Sequence, residues 1–123
     1  MHENKSVVLK FVEYINSQDL DGLASLTADE FTFTDVSGHV HVWSREEAVQ
    51  ECWQGYFTPF PDYKIHVRQV LTGGDRVAII GQTSGSHMPA EIEARSTVLW
   101  IAGLRDGLVC EWRIYATDEY RYG

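Results

Sequence analysis

From residue 4 to 17, apolar side chains return at offsets of three and four: Val7, Val8, Phe11, Val12 and Ile15, with Lys5, Lys10 and Glu13 between them. That spacing draws one apolar stripe along an amphipathic helix. Asp19 stands where it caps a short second helix over 20–26, on which Leu20, Leu23 and Leu26 share a face. The period then drops to two. In Phe31-Thr32-Phe33-Thr34-Asp35, the residues Phe31, Phe33 and Asp35 fall on one side of a strand. Gly38 interrupts the alternation, and His39-Val40-His41-Val42-Trp43 resumes it. Ser44 with Glu47 has the form of a capping box, opening a third helix over about 45–57 that Pro59 and Pro61 end.

Strands are expected next over 64–72, 76–87 and 92–102, and a last one over 108–118, with turns at Gly73-Gly74-Asp75 and Asp106-Gly107. Helices first and long strands after make an α+β pattern: a curved, mixed or antiparallel sheet around three N-terminal helices, one domain over 1–123. In 77–80, and again in 98–101, both alternating sets are apolar. That part of the sheet needs cover on each face. The chain's own helices supply one cover; a second copy of the chain, or a long loop, supplies the other. A homodimer through the outer sheet face is the expectation.

Composition narrows the function classes. The 123 residues are 44% hydrophobic and 23% charged, enough apolar side chain for a core without disulfides. Ten Lys and Arg against eighteen Asp and Glu leave a net charge of −8. That balance argues against a nucleic-acid partner and against an anionic membrane surface. No apolar run is long enough to span a bilayer, and Met1-His2-Glu3-Asn4-Lys5 lacks the shape of a signal peptide, so a cytoplasmic location is expected. Cys52 and Cys110 lie on apolar faces without a basic neighbour and read as inert thiols.

The order of elements carries a resemblance. Asp19-Leu20-Asp21-Gly22-Leu23 precedes Phe31 to Asp35; Phe60-Pro61-Asp62 precedes the first long strand; then come Gly74-Asp75-Arg76-Val77-Ala78, Thr83-Ser84-Gly85-Ser86-His87, and Asp106-Gly107-Leu108-Val109 leading into Glu111-Trp112-Arg113-Ile114-Tyr115. Over residues 5 to 118 this resembles the SnoaL-like polyketide-cyclase and ketosteroid-isomerase group of the nuclear transport factor 2-like superfamily. The resemblance implies a cone: a curved sheet around helices, with a deep, mostly apolar pocket at one end. Fold alone does not choose among the superfamily's chemistries, so the site residues must.

Asp35 matches the position of the isomerase's proton-abstracting aspartate. Inside an apolar cavity a carboxylate loses hydration, its pKa rises, and it becomes a general base. The alternative is an Asp35 that ends a strand, faces water and shapes the turn at Ser37-Gly38. The resemblance puts Phe11 where the isomerase has its oxyanion tyrosine and Thr97 near its protonated aspartic acid, so both donors are missing or weaker. Tyr14, one helical turn on from Phe11, is the substitute to consider. The superfamily's epoxide hydrolases need a carboxylate two residues after the last-strand tryptophan; here Ile114 follows Trp112. Arg95 matches their arginine, but Thr97 stands where the second carboxylate belongs.

Further pocket candidates come from register. Trp112 and Ile114 share a face with Cys110, Ala116 and Asp118, the last read either as a second acid or as a solvated carboxylate near the chain end. Gln82 and Ser84 share a face of the preceding hairpin; if that face is the inner one they are polar handles, opposite Arg95, Thr97 and Leu99. Phe33, Trp53 and Tyr56 complete an aromatic wall. His39 and His41 form an H-x-H pair with His66 and His87 on other strands. The metal-binding cupins that use such pairs are all-β, whereas this chain opens with helices, so neither metal nor organic cofactor is expected. His41 is read instead as a proton donor at the pocket rim. Together these point to a domain that binds a small apolar, carbonyl-bearing molecule and carries out proton transfer in a cyclisation, isomerisation or dehydration. The alternative is a non-catalytic binding or accessory dimerisation domain, which the missing donors favour.

Overall fold

The computed structural model describes residues 3–116. Its first helix, α1 (Glu3–Ser17), buries Val8, Phe11, Val12 and Ile15, the stripe its spacing predicts. Gln18, at φ 54, turns the chain, and the Asp19 carboxylate accepts from the Gly22 N–H at 2.9 Å to cap α2 (Leu20–Leu26). The helices cross at Gly22, where a Cβ would lie 2.5 Å from the Tyr14 ring.

Six strands follow in one mixed sheet: β1 (Thr27–Thr34), β2 (Val40–Ser44), β3 (Lys64–Gly73), β4 (Arg76–Ser84), β5 (Val98–Arg105) and β6 (Leu108–Ala116). Their order is β2-β1-β6-β5-β4-β3, and every pair is antiparallel except β1 with β6. The inner face presents Phe31, Ile65, Val77, Ile79, Val98, Trp100, Ala102 and Trp112 to α1, α2 and the helical segment at 45–57, all of them buried. The α+β class and the wrapping of a curved sheet around N-terminal helices are as the pattern of periods predicts.

Four details differ from the sequence reading. The third helix opens on the predicted Ser44–Glu47 capping box, but only α3 (Arg45–Glu47) and α4 (Gly55–Phe57) are α-helical. Between them, Ala48–Gln54 is a π-helix, with the Gly55 N–H reaching back five residues to the Gln50 carbonyl. The expected strand at 92–102 instead divides into a helical turn, α5 (Ala90–Glu93), a short connection and β5. Pro89 at the N-cap and Glu93 folded inward override the strand pattern there. β4 ends at Ser84, because Gly85 adopts φ +70 and turns the chain out.

The fourth is a bulge in β6. Gly103 pairs with Glu111 and Leu104 with Val109, leaving Cys110 as the extra residue. Val109 and Trp112, three apart, are therefore the inward pair, and Cys110 does not share the Trp112 face.

Candidate functional site

At the end of the sheet where β1 and β4 stop, a cavity of about 730 Å³ opens between the sheet and the helical segment 45–57. Trp112, Ile114 and Ala116 of β6, with Val98 of β5, form its floor. One flank comes from β1 and β2. Phe33, His41 and Trp43 alternate inward and lie nearly parallel: His41 and Trp43 rings are 5.0 Å apart at 18°, Phe33 and Trp43 rings 5.9 Å apart at 18°. The opposite flank is Tyr56, Tyr63, Thr83, Ser86, His87 and Met88. The π-helical register turns Cys52 and Trp53 into the cavity wall; π segments are common where a helix must aim side chains at a site.

Asp35 sits just past β1, on the β1–β2 flank. Its Oδ1 accepts from the Ser37 N–H (3.0 Å), the Ser37 hydroxyl (2.6 Å) and the His39 N–H (3.0 Å). Its Oδ2 faces His41 Nε2 at 3.4 Å. Asp35 thus shapes the turn with one oxygen and addresses a cavity histidine with the other. Partial burial raises its pKa, but the donors from Ser37, His39 and His41 outweigh that and hold it at about 2. This corrects the expected rise: Asp35 is a fixed carboxylate at neutral pH, and a weak proton acceptor.

Across the cavity, Tyr56 Oη lies 2.8 Å from His87 Nδ1 and accepts the His87 backbone N–H at 3.1 Å. Burial raises the Tyr56 pKa, which keeps the phenol protonated. Glu93, 6% exposed, accepts from Thr83 Oγ1 at 2.6 Å and from the Ser86 N–H at 3.3 Å, bracing the segment that carries His87. Burial pushes the Tyr63 phenol and the Cys52 thiol well above their ordinary ranges, so both stay neutral. For Cys52 this agrees with an inert thiol.

Of the sequence candidates, the structure brings Asp35, His41, Phe33, Trp53, Tyr56, Trp112 and Ile114 together around the cavity. The others stand elsewhere. Phe11 is fully buried behind the wall, 5.2 Å from the Trp112 ring and 5.6 Å from that of Trp53. Tyr14 packs over Gly22 at the α1–α2 crossing. Inward parity on β4 belongs to Val77, Ile79, Gly81 and Thr83, so Gln82 and Ser84 face outward; Arg68 donates to Gln82, and Ser84 meets His66. Leu99 is on the outer face, and Arg95 and Thr97 are exposed in the connection before β5. Asp118 lies outside the described residues. Thr83, Ser86, His87, Tyr63 and Glu51 line the cavity without having been singled out for it. The alternation Val77-Ile79-Gly81-Thr83 carried the signal for Thr83, but both faces of β4 are apolar, and only the fold chooses between them.

Among the described residues no group of three or more His, Cys, Asp and Glu side chains is placed to hold a metal, and no helix is long and apolar enough to cross a membrane. The fold is shared with solved proteins of low sequence identity. A candidate ketosteroid isomerase from Kribbella flavida superposes with a TM-score of 0.78 at 15% identity, over 95% of this chain and 79% of that one. IdmH, a candidate polyketide cyclase from Streptomyces antibioticus, gives 0.71 at 23%, over 94% and 92%. A nuclear transport factor 2-like protein of unknown function from Cytophaga hutchinsonii gives 0.74 at 14%, over 98% and 95%. No curated protein matches by sequence. Residues 8–112, from the first turns of α1 to the cavity tryptophan, match the SnoaL-like domain, and with helices, sheet and end-on pocket all in place, the chain belongs to that family.

Proposed function

We propose that the cavity binds a small, largely apolar, carbonyl-bearing molecule and that His41, oriented by Asp35, moves a proton to and from the carbon beside that carbonyl. The observation that carries this reading is a carboxylate–imidazole pair on the wall of a largely apolar cavity. Asp35, anionic and tied by Ser37 and His39, is poor at accepting a proton but well suited to orienting an imidazole and stabilising its cation. With Nε2 turned toward Asp35, His41 Nδ1 takes the proton. The C–H electron pair forms the enolate double bond, the carbonyl π pair moves to oxygen, and the same nitrogen returns a proton. At 3.4 Å the pair is at the long end of a hydrogen bond, as catalytic pairs often are before a ligand closes on them.

The test is deuterium uptake at the methyl group of 2-acetylnaphthalene in D2O, followed by mass spectrometry. General acid–base catalysis contributes about 10²–10⁴-fold. The protein is expected to accelerate uptake by at least about tenfold, and His41→Gln to return it to the buffer rate. Uptake unchanged in His41→Gln removes His41 from the reaction. A bound ketone with no acceleration supports the second reading, a non-catalytic binding domain, which the turn-shaping role of Asp35 and the apolar Phe11 already favour.

A homodimer is proposed through the outer sheet face. Leu71, Ala78, Ile80, Leu99, Ile101 and Tyr115 fall on that face from β3 to β6, and Leu71 and Tyr115 are 49% and 43% exposed. Arg113 and Glu111 add charges of both signs beside it, which a two-fold interface pairs with itself. Sedimentation equilibrium at micromolar concentration is expected to give twice the chain mass, and Leu99→Glu the monomer. A wild-type monomer sinks the dimer.

A further inference from the structure

Resting on the reading of the cavity as a ligand site, we propose that Tyr56 and His87 form a second polar anchor, which donates a hydrogen bond to an oxygen at the far end of an elongated, mostly apolar ligand. The Asp35–His41 pair and this couple stand on opposite flanks. Asp35 follows β1 and Thr83 is the last inward residue of β4, with β6 and β5 between them in the sheet. Three strand spacings separate the flanks, on the order of 14 Å along the curved sheet. The floor between is Trp112, Ile114 and Val98, whose one polar side-chain group is the N–H of the buried Trp112 indole. One polar pole therefore cannot fix the position of a ligand that fills the cavity.

The second pole is built to donate. Tyr56 Oη already accepts the His87 backbone N–H, and the Ser86 hydroxyl bonds the phenol as well. If His87 carries its proton on Nδ1, that N–H takes the second lone pair of Oη, the phenol proton goes to Ser86, and the Ser86 proton is left for a ligand. If the proton is on Nε2, Ser86 donates to Oη, Tyr56 donates to Nδ1, and the Nε2–H is left instead. In each tautomer the couple and Ser86 together have one donor to spare. A carbonyl oxygen fits such a site.

The surroundings hold the couple still. Glu93 is buried among them and fixes Thr83 and Ser86 on either side of the Gly85 turn. A Cβ on Gly85 would lie 2.4 Å from the Asp62 carbonyl oxygen, so that turn is seated directly on the chain entering β3. Phe60 and Tyr63 pack on the Tyr56 ring at 4.8 and 5.0 Å, and Phe60 also meets His87 at 6.2 Å. The donor is positioned before a ligand arrives, which lowers the ordering cost of binding.

The probe pair is 2,6-diacetylnaphthalene and 2-acetylnaphthalene, matched in ring system and in the carbonyl that the His41 flank takes, and differing in a second carbonyl at the far end. Affinity is read by quenching of tryptophan fluorescence, and the hydrogen bond itself by the infrared C=O stretch of the diketone made with ¹³C carbonyls. Wild-type protein is expected to bind the diketone about tenfold more tightly than the monoketone, the equivalent of one hydrogen bond, with the stretch shifted to lower frequency. Tyr56→Phe is expected to cut that preference to about twofold or less and reverse most of the shift. His87→Ala serves as the second variant and is expected to weaken the preference in the same direction. Equal affinity for the two probes in wild-type protein overturns the anchor and leaves the cavity reading standing. A preference that survives both variants and is lost in Asp35→Asn also overturns it. If neither probe binds, the cavity reading fails and the anchor fails with it.

Discussion

Trp112→Ala is expected to cost about 3–5 kcal/mol of stability, the range for truncating a large aromatic in a packed core. The indole is 1% exposed and meets the Phe11 ring at 5.2 Å and the Trp53 ring at 6.3 Å. It is both the cavity floor and the link between sheet and helices. It stands inward opposite Ala102 in the β5–β6 pairing, a small side chain that leaves the indole's volume to Trp112 alone. Against the 5–15 kcal/mol typical of a domain, that loss is a large fraction. The midpoint of thermal unfolding is expected to fall by roughly 10–20 °C, and urea unfolding should show a lower midpoint at similar slope. Trp112→Phe keeps most of the contact and should cost less than half as much. A Trp112→Ala protein within about 1 kcal/mol of wild type would show that the indole is cavity lining only.

Gly81→Ala is the second large effect, and it acts through the backbone. A Cβ on Gly81 would stand 2.1 Å from the His66 carbonyl oxygen, which belongs to the paired strand and has no side-chain torsion to turn away with. The pairing β3–β4 slips its register immediately beyond, between Val67 and Gln69, so this close approach belongs to the bulge. Overpacking of this kind costs typically 1–3 kcal/mol, and the upper end is expected where backbone must move. Gly73→Ala is the control. Nothing lies within 4 Å of its Cβ position, and its φ is not in the left-handed region, so a change of less than about 0.5 kcal/mol is expected. Equal losses at the two glycines would rule out the close approach as the cause.

Much of the fold was legible because local chemistry and global packing agree in it. The three–four spacing of α1, the Asp19 cap, the Ser44–Glu47 capping box and the alternation at Phe31–Phe33 each act through neighbours in sequence, and each is present. The same holds for the Asp35–His41 flank. Phe33 and His41 lie on adjoining antiparallel strands and Asp35 in the short turn that joins them, so sequence neighbours become cavity neighbours.

The sequence by itself determined the class, the order of helices and strands, and which aromatic residues were available to line a pocket. The tertiary structure alone decided parity and electrostatics. Where both faces of β4 are apolar, no pattern says which looks inward, and the choice of Thr83 over Gln82 and Ser84 came from packing against the helices. The β6 bulge separated Cys110 from Trp112 because strand register is a property of the pair. The second polar pole joins Tyr56, on the segment that leaves the π-helix, to His87 beyond β4, 31 residues on. The Asp35 pKa moved opposite to expectation because three donors from its own turn, and His41 beside them, supply more stabilisation to the carboxylate than partial burial removes. Burial and hydrogen bonding pull a carboxylate in opposite directions, and only their geometry in the folded chain sets which prevails.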